Sequence, residues 1–308
     1  MRKGEQEMTR LSTIIEKGRW FKGNTHTHST LSDGDASPEQ LVDRYRDLGY
    51  HFLAITDHRL YGVHESLNRS DFLLLPGVEL DVFVSAAEAY CHHVVGLGIP
   101  GKNRFKQGEK IVYSDQATIA DLVQLLRENG NICIYAHPNW SHAFPESLLD
   151  IPGLCAVEIY NNTCEVGHCA GFSEAWVDRL LYGQKRIFSV ASDDTHKTTR
   201  DAGGGFISVK AKSFTQEAII ESLLSGSFFA SEGPLIESFY IEDQKAYLTC
   251  SPCKRVGFLN DRRPRSAVND PTGSLTEASI ALEGSERYVR AVCIDQLGRK
   301  AWSQPIWL

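Results

Sequence analysis

The feature that most constrains this chain is where its histidines and a few of its carboxylates fall: at the ends of short apolar or β-branched runs. His26 and His28 follow the run 20–24, His58 the run 52–56, and Glu79 the run 72–78. His137 follows 131–136, while Asp194 and His196 follow 186–191. Asp33 sits in the turn Ser32-Asp33-Gly34, and His93 opens the run 94–98. All eleven histidines lie at or before His196. Residues two apart in an extended segment point to one side, so His26 and His28 can meet the same ion. Ends of separate strands converge in space when the strands curl into an α/β barrel, which is where such barrels build their sites. His26, His28, Asp33, His58, Glu79, His93, His137, Asp194 and His196 are all ligand types for a divalent metal. Together they imply one multinuclear metal site and hydrolytic chemistry.

The runs themselves predict strands at 20–24, 52–56, 72–78, 94–98, 131–136, 156–160, 186–191 and 205–209. Several are continuously apolar, the pattern of parallel strands covered on both faces. Helices fall between them. Ser37-Pro38-Glu39-Gln40 combines an N-cap serine, a first-turn proline and a glutamine three residues on, with Leu41, Tyr45 and Leu48 as the apolar stripe and Gly49 to close. Thr118 to Asn129 repeats the pattern with Ile119, Leu122, Val123 and Leu126, and 175–182 and 216–224 are further helices, each followed closely by glycine. Alternation of this kind predicts an α/β barrel or a doubly wound sheet. Near Gly233-Pro234 the pattern changes to short alternating strands and turns such as Asn269-Asp270-Pro271-Thr272-Gly273. A terminal hairpin is expected from 288–294 and 301–307. The expected organisation is therefore an α/β domain over 1–232 and a small all-β, sandwich-like domain over 233–308.

Charge and composition exclude some roles. Asp plus Glu exceeds Lys plus Arg, 39 to 32, for a net charge of −7. Non-specific coating of long nucleic acid relies on many cationic contacts, so it is not expected here. A small phosphorylated ligand at a local cationic site is compatible with that charge. No run is long and apolar enough to span a membrane, and the stretch from Met1 to Lys17 lacks a signal-peptide core, so the expected location is cytoplasmic. Cys133 and Cys293 sit in apolar runs and read as small core residues. Cys250 and Cys253 form one C-x-x-C with no second pair; a structural zinc site usually takes four ligands, so no metal is expected there.

The ordered motifs H-x-H with S-D-G, T-D-H, G-V-E, H-V-V-G-L-G, A-H-P and D-x-H resemble the PHP (polymerase and histidinol phosphatase) family of metal-dependent phosphoesterases. The resemblance spans roughly residues 20 to 210. It implies a distorted seven-stranded, TIM-like α/β barrel with a trinuclear metal centre. In this sequence His26, His28, Glu79 and Asp194 would hold one ion, Glu79, His93 and His137 a second, and Asp33, His58 and His196 a third. The β-rich tail resembles one carried by some stand-alone members. Of two adjacent pairs, the fit to H-V-V-G-L-G favours His93 over His92, and the D-x-H spacing favours Asp194 over Asp193. Asp57 is expected to orient a ligand histidine.

Mixed nitrogen and oxygen ligands suit Zn²⁺, Mn²⁺ or Fe²⁺. Three divalent ions facing the carboxylates of Asp33, Glu79 and Asp194 leave the centre cationic and attractive to a phosphate ester or phosphate ion. Asp194 is the candidate catalytic residue, orienting or deprotonating the attacking water. Arg200, Lys197 and Arg59 are candidate phosphate contacts, Trp140 and His142 a candidate wall, and Asn161 a candidate donor to substrate. The expected activity is hydrolysis of a nucleotide or of a sugar or alcohol phosphate. A 3′–5′ exonuclease and a non-catalytic binding protein on the same scaffold are the alternatives. Oligomeric state is left open.

Overall fold

A computed structural model describes residues 10–85, 90–262 and 266–308. The first nine residues of the polar N-terminal stretch lie outside the described residues. In chain order the first part contains β1 (Arg19–Asn24), α1 (Pro38–Asp47), β2 (Phe52–Ala54), β3 (Leu60–Tyr61), β4 (Leu73–Leu75), β5 (Gly77–Ser85), β6 (Tyr90–Gly98), β7 (Glu109–Lys110) and α2 (Ile119–Glu128). It continues with β8 (Asn131–Tyr135), β9 (Leu154–Asn161), α3 (Asn162–His168), α4 (Glu174–Tyr182), β10 (Phe188–Ser192), β11 (Phe206–Ala211), α5 (Gln216–Ser225) and β12 (Phe228–Ser231). The remainder is sheet-rich: β13 (Ile236–Glu242), β14 (Lys245–Cys253), β15 (Arg255–Asn260), β16 (Ser266–Asn269), β17 (Leu275–Ala281), β18 (Tyr288–Ile294), β19 (Lys300–Ser303) and β20 (Ile306–Trp307).

The helices start where side chains satisfy their free N–H groups. At α1 the Gln40 amide donates to Ser37 Oγ, and the Gln40 side chain accepts from the Ser37 amide at 2.8 Å. At α2 Thr118 and Asp121 make the same reciprocal pair at 2.8 and 3.2 Å. The α2 stripe of Ile119, Leu122, Val123 and Leu126 is buried, each side chain contributing about 1.5–3 kcal/mol of transfer free energy. Gly49 and Gly226 follow α1 and α5 at φ +75° and +78°, where an L side chain is strained.

One sheet runs β16-β15-β18-β19-β12-β11-β1-β2-β4, with β20 on β18. A second runs β10-β9-β8-β6-β5. The strands are mixed rather than uniformly parallel: β1–β2, β2–β4, β8–β9 and β9–β10 are parallel, whereas β1–β11, β5–β6 and β6–β8 are antiparallel. The single strand expected over 72–78 is two. Pro76 has no amide hydrogen to give a ladder, so the run breaks there; β4 pairs with β2 in the first sheet and β5 with β6 in the second. The two sheets meet through parallel bridges between Thr27 and Thr195 and between His58 and Glu79. Residues proposed from sequence as ligands lie on or beside both seams.

Beyond Gly233 the strand pairing returns to the first part of the chain. β19 lies antiparallel to β12, with Phe229 opposite Ser303 and Ala230 opposite Trp302. Trp302 is fully buried and its indole donates to Glu174 Oε1 at 2.8 Å. Gln304 accepts from the Ser189 amide and donates to its carbonyl, both at 2.8 Å. The hairpin expected near the end forms from β18 and β19, with β20 a separate short strand back on β18.

Candidate metal centre

Glu79 is the hub. It projects from β5, is buried, and has its Oε1 3.2 Å from His26 Nε2, 2.9 Å from His93 Nδ1 and 3.3 Å from His137 Nε2. Its Oε2 lies 3.2 Å from His28 Nε2 and 3.1 Å from His58 Nδ1. Asp194 meets the same imidazoles from the opposite seam, with Oδ1 3.2 Å from His26 Nε2 and 3.1 Å from His28 Nε2. Asp33, half exposed on its turn, closes the outer side, 3.3 Å from His196 Nε2 and 3.6 Å from His58 Nε2. Three groups emerge with ligand atoms within 4.8 Å of one another: His26, His28, Glu79, Asp194; His58, Glu79, His93; and His28, Asp33, His58, His196. His137 stands 3.3 Å from Glu79 and 3.8 Å from Asp194. All nine sequence-derived residues therefore come together.

The cluster has the marks of a cation site. His58 Nδ1 and Asp194 Oδ1 are buried and have no hydrogen-bond partner among the described residues, although other polar atoms stand about them. Leaving such atoms unsatisfied costs about 1–3 kcal/mol each. Atoms packed at ligand-to-ligand spacing, but not aimed at each other, fit donors directed at a common ion. Burial pushes the Glu79 carboxyl up, but His26, His93 and His137 outweigh it and hold it well below the usual carboxylate range. For Asp194, burial is likewise overcome by His26, His28 and His137, so its acidity too is strongly increased. Both are ionised, as ligands must be.

The two adjacent ambiguities separate by direction. Alternation along β6 sends His93 to Glu79, while His92 Nδ1 meets the Tyr135 hydroxyl at 2.6 Å. Asp194 adopts a left-handed backbone at φ 53°, a strained conformation for a non-glycine residue that faces it into the cluster. Asp193 turns the other way, accepting from Tyr45 Oη at 2.8 Å and from the Gly203 and Gly205 amides at 2.8 and 2.6 Å. Burial still raises its carboxyl to about 6.

Asp57 makes no direct hydrogen bond to a histidine among the described residues, although Ser32 Oγ, which donates to it, stands 3.5 Å from His28 Nδ1. It accepts from the Ser29 amide at 2.8 Å, Ser29 Oγ at 2.7 Å and Ser32 Oγ at 2.7 Å, pinning the turn that carries Asp33. The orienting carboxylate is Glu158, which the sequence reading passed over. It is buried in β9, with Oε1 2.8 Å from His26 Nδ1 and Oε2 accepting from the His137 amide and Asn161 Nδ2, both at 2.8 Å. The available signal was one acid in the apolar run Val157-Glu158-Ile159. Glu158→Gln preserves shape but removes the charge facing His26; metal affinity or kcat/KM is expected to fall about 10–100-fold. Metal titration and steady-state kinetics check this, and unchanged values would make Glu158 a packing residue.

A cleft of about 350 Å³ opens over Glu79, Asp194 and the outer histidines, with Trp140, His168, Lys197 and Arg200 on its walls. Trp140 stands edge-on to His137 at 5.0 Å and to His93 at 5.9 Å. Lys197 and Arg200 are exposed, and Arg200 is paired with Asp201. The other substrate candidates do not line the cleft. Arg59 gives its guanidinium to Asp81 at 2.9 and 2.7 Å. Asn161 is fully buried and donates to Glu158 and Asp194 at 2.8 and 3.1 Å. His142 is exposed elsewhere on its loop.

The family model of the PHP domain matches residues 24–149. The chain carries a PHP domain. Curated relatives resemble part of it. The 5′-3′ exoribonuclease Rnm of Escherichia coli is 39% identical over 80 residues, 24% of this chain and 26% of the relative. The DNA polymerase/3′-5′ exonuclease PolX of Bacillus subtilis is 34% identical over 87 residues, 22% of this chain and 15% of the relative. The chain thus spans about a quarter or less of the curated relatives it matches. A solved two-domain protein from Bacteroides vulgatus, containing a predicted PHP-like metal-dependent phosphoesterase, superposes over 95% of this chain and 96% of that one. Its TM-score is 0.50 at 15% identity, a likeness of fold. Among the described residues no helix is long and apolar enough to cross a membrane.

Proposed function

We propose that the protein is a metal-dependent phosphoesterase that hydrolyses a small phosphorylated substrate, a nucleotide or a sugar or alcohol phosphate. The observation that carries this reading is the meeting, in one cleft, of the Glu79–Asp194 histidine cluster with the cations of Lys197 and Arg200. In this reading His26, His28, Glu79 and Asp194 would hold one ion; Glu79, His93 and His137 a second; Asp33, His58 and His196 a third. Zn²⁺, Mn²⁺ and Fe²⁺ all suit these donors. Such ions would supply Lewis acidity and lower the pKa of water toward ~7. Asp194, held beside the first ion by one carboxylate oxygen, orients the attacking water and takes its proton with the other. Lys197 and Arg200 bind phosphoryl oxygens, and Trp140 covers the leaving group's side of the cleft. Glu158 keeps the His26 ring turned toward Glu79 and Asp194. Residues 1–232, as a seven-stranded barrel located in the cytoplasm, carry this chemistry; residues 233–308 form a β domain joined to it through the β12–β19 pairing.

A second reading, an exonuclease-like phosphodiesterase, is favoured by the names of the relatives: Rnm is a 5′-3′ exoribonuclease and PolX a 3′-5′ exonuclease. Metal analysis of the purified protein, run with a phosphate-release screen, separates the two. Bound metal and faster release from mononucleotides or sugar phosphates than from short oligonucleotides is the expected result. The opposite ranking would establish the exonuclease reading. Hydrolysis of neither class by the metal-loaded protein would leave a binding role on this scaffold.

A further inference from the structure

We infer that Cys250, Cys253 and Cys293 form a second metal site, a buried three-thiolate site for a thiophilic divalent cation such as Zn²⁺, in the sheet-rich C-terminal part. The three side chains are buried and their sulfurs lie within 4.8 Å of one another. Sulfurs bound to one zinc at about 2.3 Å stand roughly 3.8–4.0 Å apart, so small side-chain adjustments suffice.

The backbone brings the thiols together by a local departure from regularity. Along β14 the inward positions are Ala246, Leu248 and Cys250, the ordinary alternation of a half-buried strand. Continued, that alternation would put Pro252 inside and Cys253 outside. Instead the β14–β17 register shifts between Thr249 and Cys253, Pro252 is exposed, and Cys253 is buried beside Cys250. Such bulges re-aim side chains. Cys293 arrives from β18, opposite Val256 of β15, so a C-x-x-C that looked solitary in sequence acquires its third sulfur from about forty residues downstream.

A disulfide would consume two of these sulfurs and leave the third idle; a cation engages all three. The surroundings select its charge. Val256, Phe258, Ala291 and Ile236 belong to the same apolar cluster, and net charge is costly there. Three thiolates with a divalent ion leave one negative charge, whereas a monovalent ion leaves two. The Leu275 carbonyl oxygen, which accepts from Cys250 Sγ at 3.9 Å, is a neutral oxygen beside the site. Binding releases the thiol protons to solvent, so affinity falls as pH falls. None of the three cysteines lines the cleft over Glu79, so the site is separate from the proposed hydrolytic centre.

The test uses the full-length protein, reduced and titrated with Cd²⁺ while the thiolate-to-cadmium charge-transfer absorption is followed. Nitrogen and oxygen donors of the barrel give no such band, and Cys164→Ser controls for the cysteine at the cleft. The band should appear in the wild type and in Cys164→Ser, saturate at one ion, and bind about tenfold or more weakly in Cys293→Ser. Should Cys293→Ser fold poorly, pulse alkylation of the wild type in mild denaturant replaces it: Zn²⁺ should slow modification of all three cysteines together. The assignment is overturned by the absence of a band, by a band that survives in Cys293→Ser or vanishes in Cys164→Ser, by alkylation indifferent to Zn²⁺, or by a Cys250–Cys253 disulfide in freshly purified protein.

Discussion

Glu79→Ala is expected to abolish metal binding and hydrolysis together, with kcat/KM falling about a thousandfold or more, the equivalent of several kcal/mol of charge stabilisation. Its two oxygens face His26, His28, His58, His93 and His137 at 2.9–3.3 Å, whereas Asp194 faces two imidazoles at that range. Removing it leaves five imidazoles without the anion that orders them. His26→Ala should act in the same direction. Elemental analysis of the purified variants beside phosphate release reads both quantities, and full activity with unchanged metal content would refute the assignment.

Asp194→Asn should behave differently. The amide keeps the volume and one oxygen, so part of the metal content survives, but the group can no longer accept a proton. General-base contributions are typically 10²–10⁴-fold, and a fall in kcat of about that size with little change in KM is expected. Asp193→Asn, next in sequence, is the control. Its carboxylate holds Tyr45 and the Gly203 and Gly205 amides rather than the cluster, so its loss should be read in stability. If the two variants reduced kcat equally, at equal metal content and folded fraction, Asp194 would not be the base.

The contrast between these neighbours shows what was legible in the sequence. The fit to the family motifs D-x-H and H-V-V-G-L-G favoured Asp194 and His93; alternation along β6 and the left-handed turn at Asp194 are what the structure adds. The capping residues Ser37 and Thr118 were legible from the sequence itself, because capping is a local property. Glu158 and the true role of Asp57 were not. Which partner a buried carboxylate accepts depends on the strand or turn lying beside it, and neither histidine nor serine announces that from its position in the chain. The break at Pro76 was written in the sequence, but its consequence, one apolar run shared between two sheets, is set by which strands pair. The register shift between Thr249 and Cys253 that turns Cys253 inward is hidden in the same way: Ser251-Pro252 marks an irregularity without saying which side chain it redirects.

The pairing of β19 with β12 has a consequence for the order of events during synthesis. Until Ser303 has been made, Phe229 and its neighbours present an unpaired ladder of amides and carbonyls, and Ser189 in β10 lacks the Gln304 amide that receives and donates its backbone hydrogen bonds. β10 leads directly into Asp193 and Asp194. The strand that delivers the proposed base is therefore completed only once residue 304 has been made. Contacts this distant in sequence are slow to form and leave edges open to mispairing in the meantime. The acid is presented from β10 of the second sheet, yet that strand's Ser189 takes its hydrogen bonds from Gln304, just beyond β19 of the first sheet.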